Sequence, residues 1–238
     1  MENLPKKTQS SKKKLELTKN LMQITAKILT NRNIPTQEES NWINKLWEWA
    51  DKSEIPELKW IDLGNSRGFM VGISRNKEEL LNRTQLTIDG QKLVEIPKEL
   101  GNLTNLVSLN IRRCPLYRIP NEIGNLTNLN FLTIRVAALI EIPRSIGNLT
   151  NLITLNLLYN QLQEIPKEIG NLTNLTTLNL GLNQLQKLPK EIINLKNLDS
   201  LRMIKNPNLT LTVEQEEWLL KLKENGCRIH IDDNLLKF

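Results

Sequence analysis

Residues 164–175 read EIPKEIGNLTNL, and close copies stand upstream: EIPKELGNLTNL at 95–106, RIPNEIGNLTNL at 118–129 and EIPRSIGNLTNL at 141–152. Each copy begins 23 residues after the one before, and a weaker fifth, KLPKEIINLKNL, occupies 187–198. A fixed period of this length marks a solenoid. One such unit is too small to bury an apolar face alone, so it must stack on its neighbours.

Between the copies runs Leu-x-x-Leu-x-Leu-x-x-Asn-x-Leu, seen as Leu152, Leu155, Leu157, Asn160 and Leu162, and again as Leu175, Leu178, Leu180, Asn183 and Leu185. Leu-x-Leu is a short strand with alternating faces. It turns Leu155 and Leu157 inward, and Thr154, Asn156 and Leu158 outward. The Asn should face the interior and satisfy backbone groups left unpaired where the chain turns. Ile165, Ile169 and Leu172 should fill the core from the back. Pro166 should start a short helical or 3₁₀ turn, where a missing N–H costs nothing, and Gly170 should permit a tight exit.

These residues resemble the bacterial leucine-rich repeat proteins built from 23-residue units, over about residues 81–238. The resemblance implies an α/β solenoid: a right-handed leucine-rich repeat horseshoe with a parallel concave β-sheet. The residues at the two ends add the expectation of a helical N-terminal cap and a helix–strand C-terminal cap. The expected segments are a basic tail at 1–14, a helical capping region at 15–80, repeats at 81–206 and the C-terminal cap at 207–238. The Asn position reads Gln91, Cys114, Ala137, Asn160, Asn183 and Asn206 down the stack. A thiol donates only weakly and a methyl not at all, so repeats two and three should depart from the ideal form.

Both open ends of such a stack need covers. Thr212 should cap a helix over 213–224 with Trp218, Leu219 and Leu222 buried, Asn225-Gly226 should stop it, and residues 227–231 should add a last strand. Upstream, Leu17, Leu21, Ile24 and Ile28 predict an amphipathic helix over 15–31. A second helix over 37–52 should bury Trp42, Ile43, Leu46, Trp47 and Ala50, with Trp49 at the edge of that face, against the first repeat. Residues 59–73, with three glycines, read as loop or short strand.

The chain carries 32 Lys and Arg against 26 Asp and Glu. The surplus lies in residues 1–33, which hold eight basic and two acidic residues. No apolar run approaches the roughly 18 residues of a membrane span, and no signal peptide is visible. Cys114 and Cys227 sit at structural positions and suit a reducing compartment. His230 is the sole histidine and reads as a solvent-facing strand residue, so no metal site is expected. The six Asn-x-Thr sequons are repeat consensus.

On the outward face, Arg112, Arg113 and Arg135 form a basic cluster. Phe131, Leu158, Tyr159 and Leu182 form an apolar patch beside it, and Arg202 and Lys205 follow on the last repeat. Arginine and aromatics are the side chains enriched at interface hot spots. The resemblance implies a non-catalytic protein-binding module, using these residues on its concave face, with no cofactor. The partner's identity is open, and a monomer is expected. Some bacterial relatives are effectors delivered into host cells, so a cytoplasmic setting is expected, with delivery by a signal-peptide-independent route left open. Effectors that join such repeats to a catalytic-cysteine ubiquitin ligase carry a further domain, for which this chain leaves no room. The second reading makes the basic N-terminal segment bind an anionic membrane or nucleic acid, with the repeats as scaffold. Nucleic acid is disfavoured because no aromatics interleave the lysines.

Overall fold

A computed structural model describes residues 37–52, 76–90, 93–232 and 235. The tail 1–14, the helix expected over 15–31, the segment 59–73 and Gln91 lie outside the described residues. The chain divides into two units, Met1–Trp42 and Ile43–Phe238, and the repeats lie wholly in the second.

Seven strands form one parallel sheet in sequence order: β1 (Gln85–Asp89), β2 (Ser108–Arg112), β3 (Phe131–Arg135), β4 (Thr154–Asn156), β5 (Thr177–Asn179), β6 (Ser200–Arg202) and β7 (Arg228–His230). The register follows the sequence period: Leu86, Leu109, Leu132, Leu155, Leu178 and Leu201 stand side by side and are fully buried. Alternation along each strand therefore sends one face into the core and leaves the other to solvent.

Behind the sheet, five 3₁₀ turns stack on one another: Lys98–Asn102, Asn121–Asn125, Arg144–Asn148, Lys167–Asn171 and Lys190–Asn194. A proline precedes each one, Pro166 among them, as its fixed φ favours. Gly170 does not serve the turn's exit, since its φ is not positive. It serves the stack: a Cβ there would lie 2.4 Å from the Glu191 carbonyl oxygen of the next turn. Gly101, Gly124 and Gly147 make the same approach to Glu122, Ser145 and Glu168. At the equivalent point of the fifth turn stands Ile193, partly exposed, where the helix Val213–Glu224 and not another stacked 3₁₀ turn lies against it.

The interior Asn residues do as their position requires. Asn183 Oδ1 accepts from Leu162 N–H at 3.1 Å, and its Nδ2 donates to Leu157 O and Leu180 O at 3.0 Å each. Asn160 and Asn206 repeat the pattern. Cys114 instead gives its thiol to Arg112 O at 3.2 Å, and Ala137 is half-buried. A second ladder runs on the outside. Asn105, Asn128, Asn151, Asn174 and Asn197 each donate to a main-chain carbonyl of the preceding unit at 2.8–2.9 Å.

Helix α1 (Gln37–Lys52) buries Ile43, Leu46, Trp49 and Ala50, whereas Trp42 and Trp47 are only half-buried. The helical period places Trp49 at the edge of the apolar face, yet its indole N–H reaches the Glu95 carbonyl at 3.0 Å and is held there. The short helix α2 (Lys77–Leu81) leads into β1. Helix α3 (Val213–Glu224) opens with a reciprocal capping box between Thr212 and Gln215. It lies against the fifth 3₁₀ turn, where the Trp218 indole donates to Leu195 O at 3.0 Å. Trp218, Leu219 and Leu222 are buried, and Gly226 takes the left-handed conformation that ends the helix. Cys114 and Cys227 are both buried and free.

Candidate functional site

The outward face is built by the same alternation that buries the leucines. Strands β1–β3 run five residues, so each presents three outward side chains. In β4 and β5 the strand stops two residues earlier, because Asn156 and Asn179 turn their Oδ1 atoms back onto Leu158 N–H and Gly181 N–H at 3.1 Å. Their amide N–H groups are left as donors on the face.

Just beyond the strand ends lies a rim position that the structure singles out. Arg113, Val136, Tyr159, Leu182 and Lys205 all have φ between 54° and 59°, and Gly90 opens the series at 71°. The left-handed region is uncommon for side-chain-bearing residues, and most of all for a β-branched one. It is held because each rim N–H donates to the next strand's carbonyl, as Tyr159 does to Gly181 O at 3.0 Å. At Lys205 a side chain takes over: its N–H donates to the Asp232 carboxylate at 2.8 Å.

The structure brings Arg112 and Arg135 side by side on β2 and β3, with Arg113 on the rim. They do not form a purely basic cluster. Asp89 binds Arg112 Nη2 at 2.9 Å and Arg113 Nε at 2.7 Å. The Arg113 hydrogen bond, with Arg112 and Arg135 nearby, holds the Asp89 carboxyl below the usual aspartate range. Arg113 stays largely in solvent, with 67% of its side chain exposed against 18% for Arg112. Phe131 starts β3 with 45% exposure, at the opposite end of the strand from Arg135, with Thr133 between them on that face. Leu158 and Leu182 are half-buried, and Tyr159 is 55% exposed on the rim. Arg202 pairs in register with His230, and Lys205 lies beyond it on the rim.

Two members of the face were not singled out from sequence: Asp89, and Arg228 on β7. Both were in reach. The 23-residue register places Asp89 opposite Arg112, and Arg228 lies two residues before outward-facing His230.

The charge on this face is lopsided. Among its outward and rim positions stand Arg112, Arg113, Arg135, Arg202, Lys205 and Arg228 against Asp89 and Asp232, the latter at the Lys205 N–H. Residues 34–238 hold equal numbers of acidic and basic residues. The back carries both signs: Glu95, Glu141 and Glu164 beside the Ile-Pro steps and Glu99, Glu122, Glu168 and Glu191 in the 3₁₀ turns stand among Lys98, Arg118, Arg144, Lys167, Lys187 and Lys190. A groove of about 900 Å³ follows those Ile-Pro steps, lined by Ile119, Ile142, Ile165 and their prolines. It recurs with every unit and is explained by the repeat itself. Among the described residues, no group of three or more His, Cys, Asp or Glu is placed to hold a metal ion. No described helix is long and apolar enough to cross a membrane.

No protein-family model matches the sequence. No curated protein matches it either. Solved structures do match. A leucine-rich repeat protein of Leptospira interrogans superposes with a TM-score of 0.54 at 25% identity, over 79% of this chain and 56% of that one. The leucine-rich repeat domain of the Xanthomonas type III effector XopL gives 0.54 at 19% identity, over 87% of each chain. PEPR1, in its complex with AtPEP1, gives 0.54 at 28%, over 68% of this chain and 23% of that one. The chain thus spans little more than half the length of the Leptospira protein. Period, parallel sheet, 3₁₀ turns and interior Asn ladder define a repeat solenoid with an open sheet face. The chain folds as a leucine-rich repeat solenoid.

Proposed function

We propose that this chain is a non-catalytic binding module whose concave sheet face engages an acidic surface of a protein partner. The observation that carries the reading is the excess of cations on the sheet face: six stand there against two carboxylates, on a body whose residues 34–238 are neutral as a whole. Guanidinium groups pair bidentately with carboxylates, and a focused field of one sign steers oppositely charged partners. One further observation supports the choice of face: its outward positions are free of the packing demands that fix the buried leucines. PEPR1, which carries the same kind of repeat, was solved in a complex with AtPEP1.

The test is an affinity capture comparing wild type with the Arg112→Glu/Arg135→Glu double variant, each checked for unchanged circular dichroism. A purified partner should bind wild type with marked salt dependence and bind the double variant at least tenfold more weakly. Equal binding by both sinks the reading. Removing residues 1–33 should leave this binding intact; loss on truncation would move the site to the basic N-terminal segment.

A further inference from the structure

Away from the sheet face, the flank where the chain passes from the strands to the 3₁₀ turns carries an apolar stripe. Val94, Tyr117 and Ile140 are 56%, 53% and 41% exposed and hold one register position in repeats one to three. Main-chain bonds hold adjacent segments together: Ile140 N–H donates to Tyr117 O and Ala138 N–H to Leu116 O, both at 3.2 Å. Segments so linked lie about 5 Å apart. Exposed Pro115 and half-buried Ala138 widen the stripe, each two residues earlier in its own repeat. At the same positions repeats four and five carry Gln161, Gln163, Gln184 and Gln186. Glutamine therefore satisfies the fold there, and packing within the chain does not call for apolar residues. A contiguous exposed apolar patch of this kind marks an interaction surface.

The next residue of each repeat forms a charged column beside the stripe: Glu95, Arg118, Glu141, Glu164 and Lys187. Arg118 Nε donates to Glu141 Oε1 at 3.1 Å, and both side chains stay largely exposed. Such a pair contributes little by itself. The column does decide what can cover the stripe. A two-fold axis perpendicular to the stack sets two flanks face to face with their repeats running in opposite directions. Placed through repeat two, the axis sets Arg118 against its own image and Glu95 against Glu141. Placed through repeat three, it sets Glu141 against its own image and Tyr117 against Gln163. Placed between them, it sets Tyr117 against Ile140 and Arg118 against Glu141, each twice.

We propose that the stripe is the contact between two copies of this chain, related by a two-fold axis between repeats two and three. Tyr117 of each copy lies on Ile140 of the other. The two Arg118–Glu141 pairs close into a ring of four alternating charges around the axis. Val94 extends the apolar contact at each end, over Gln163 of the second copy. Beyond the ring, Glu95 faces Glu164 of the second copy, which keeps the contact short and the dimer weak, with a Kd of about 10–100 μM. That axis runs from the sheet side to the turn side, so both concave faces open in one direction. The pair presents two binding sheets to one partner surface, and avidity follows. The dimer does not depend on what the concave face binds, and either reading stands if the other falls.

The experiment is sedimentation equilibrium of the full chain over about 1–500 μM, within which the expected Kd falls. Tyr117→Gln/Ile140→Gln installs the residue type that repeats four and five carry at this position, so the melting temperature should hold. It removes four apolar side chains from the contact and should weaken the dimer about a hundredfold or more. Arg118→Glu and Glu141→Arg should each weaken it about tenfold by setting like charges around the axis. The double variant Arg118→Glu/Glu141→Arg should restore it, and the two single variants, mixed, should dimerise with each other more tightly than either does alone. The charge variants keep the test open if the glutamine pair disturbs folding. A chain that stays monomeric at about 500 μM overturns the proposal and leaves the stripe to a different protein. A dimer untouched by the glutamine pair at unchanged melting temperature overturns it too, as does a charge swap that fails to restore association. A dimer that Arg135→Glu dissolves and the glutamine pair does not would place the contact on the concave face instead.

Discussion

Replacing Asn183 by Ala removes four contacts of its side-chain amide, yet it should orphan only one backbone group. Leu157 O keeps Asn160 Nδ2 at 2.9 Å, Leu180 O keeps Asn206 Nδ2 at 3.1 Å, and Gly181 O keeps Tyr159 N–H at 3.0 Å. Leu162 N–H, which bonds Asn183 Oδ1 at 3.1 Å, is left with no recorded partner. A buried unpaired N–H costs about 1–3 kcal/mol, and each weakened acceptor about half a kcal/mol or more. The variant should therefore lose about 3 kcal/mol, well short of the cost of four independent bonds. The reverse change tests the same reasoning. Asn at position 137 would offer Oδ1 to Leu116 N–H, which now makes a tight contact with Cys114 O at 2.7 Å. Ala137→Asn should add about 1 kcal/mol. Urea denaturation gives both numbers, and native-state hydrogen exchange reads the Leu162 amide directly. A loss under 1 kcal/mol in Asn183→Ala, or unchanged protection of the Leu162 amide, would refute the account.

Val136→Asn should stabilise the chain by about 1 kcal/mol in the same denaturation assay, because Asn tolerates the left-handed conformation that a β-branched residue resists. Gly147→Ala should cost about 2–3 kcal/mol, since its Cβ would sit 2.7 Å from both Cβ and carbonyl oxygen of Glu168; Ile193→Ala, facing no further 3₁₀ turn, should cost less than 1.5 kcal/mol. Asp89 has a depressed folded pKa, so its stabilisation is complete above the ordinary aspartate value of about 3.9 and is lost as pH falls through the lower folded value. Asp89→Asn should flatten that acid limb of a pH–stability curve, and by releasing Arg112 and Arg113 it should also tighten an acidic partner at neutral pH, measured by titration calorimetry.

How much of this was legible in the sequence follows from how local each cause is. The leucine strands and 3₁₀ turns were readable because alternation and proline act within a few residues. Helix α3 was readable to its ends because Thr212, Gln215 and Gly226 are local signals. Gly170 was misread, since its reason lies 21 residues away, in the Glu191 carbonyl. The rim was located by periodicity, but its conformation was hidden. Arg, Val, Tyr, Leu and Lys share no left-handed signature, and only Gly90 carries one. Trp49 was assigned to an edge by the helical period, whereas a carbonyl 46 residues on holds it. The arginine cluster was visible as composition along a register, but its neutralisation by Asp89 required asking what stands one strand earlier.

The stack of 3₁₀ turns bears on how such a chain can change length. Gly101, Gly124, Gly147 and Gly170 each accept whatever Glu or Ser stands second in the next turn, so the joints between units are interchangeable. Excising the 23 residues 154–176 would leave Gly147 facing Glu191, the contact Gly170 makes now, and duplicating them would create one more joint of the same kind. Ile193 breaks that equivalence, because another turn placed on it would collide with its side chain. Growth or loss by whole units is thus open inside the array and closed at its last turn, where the shape of one residue sets the terminus.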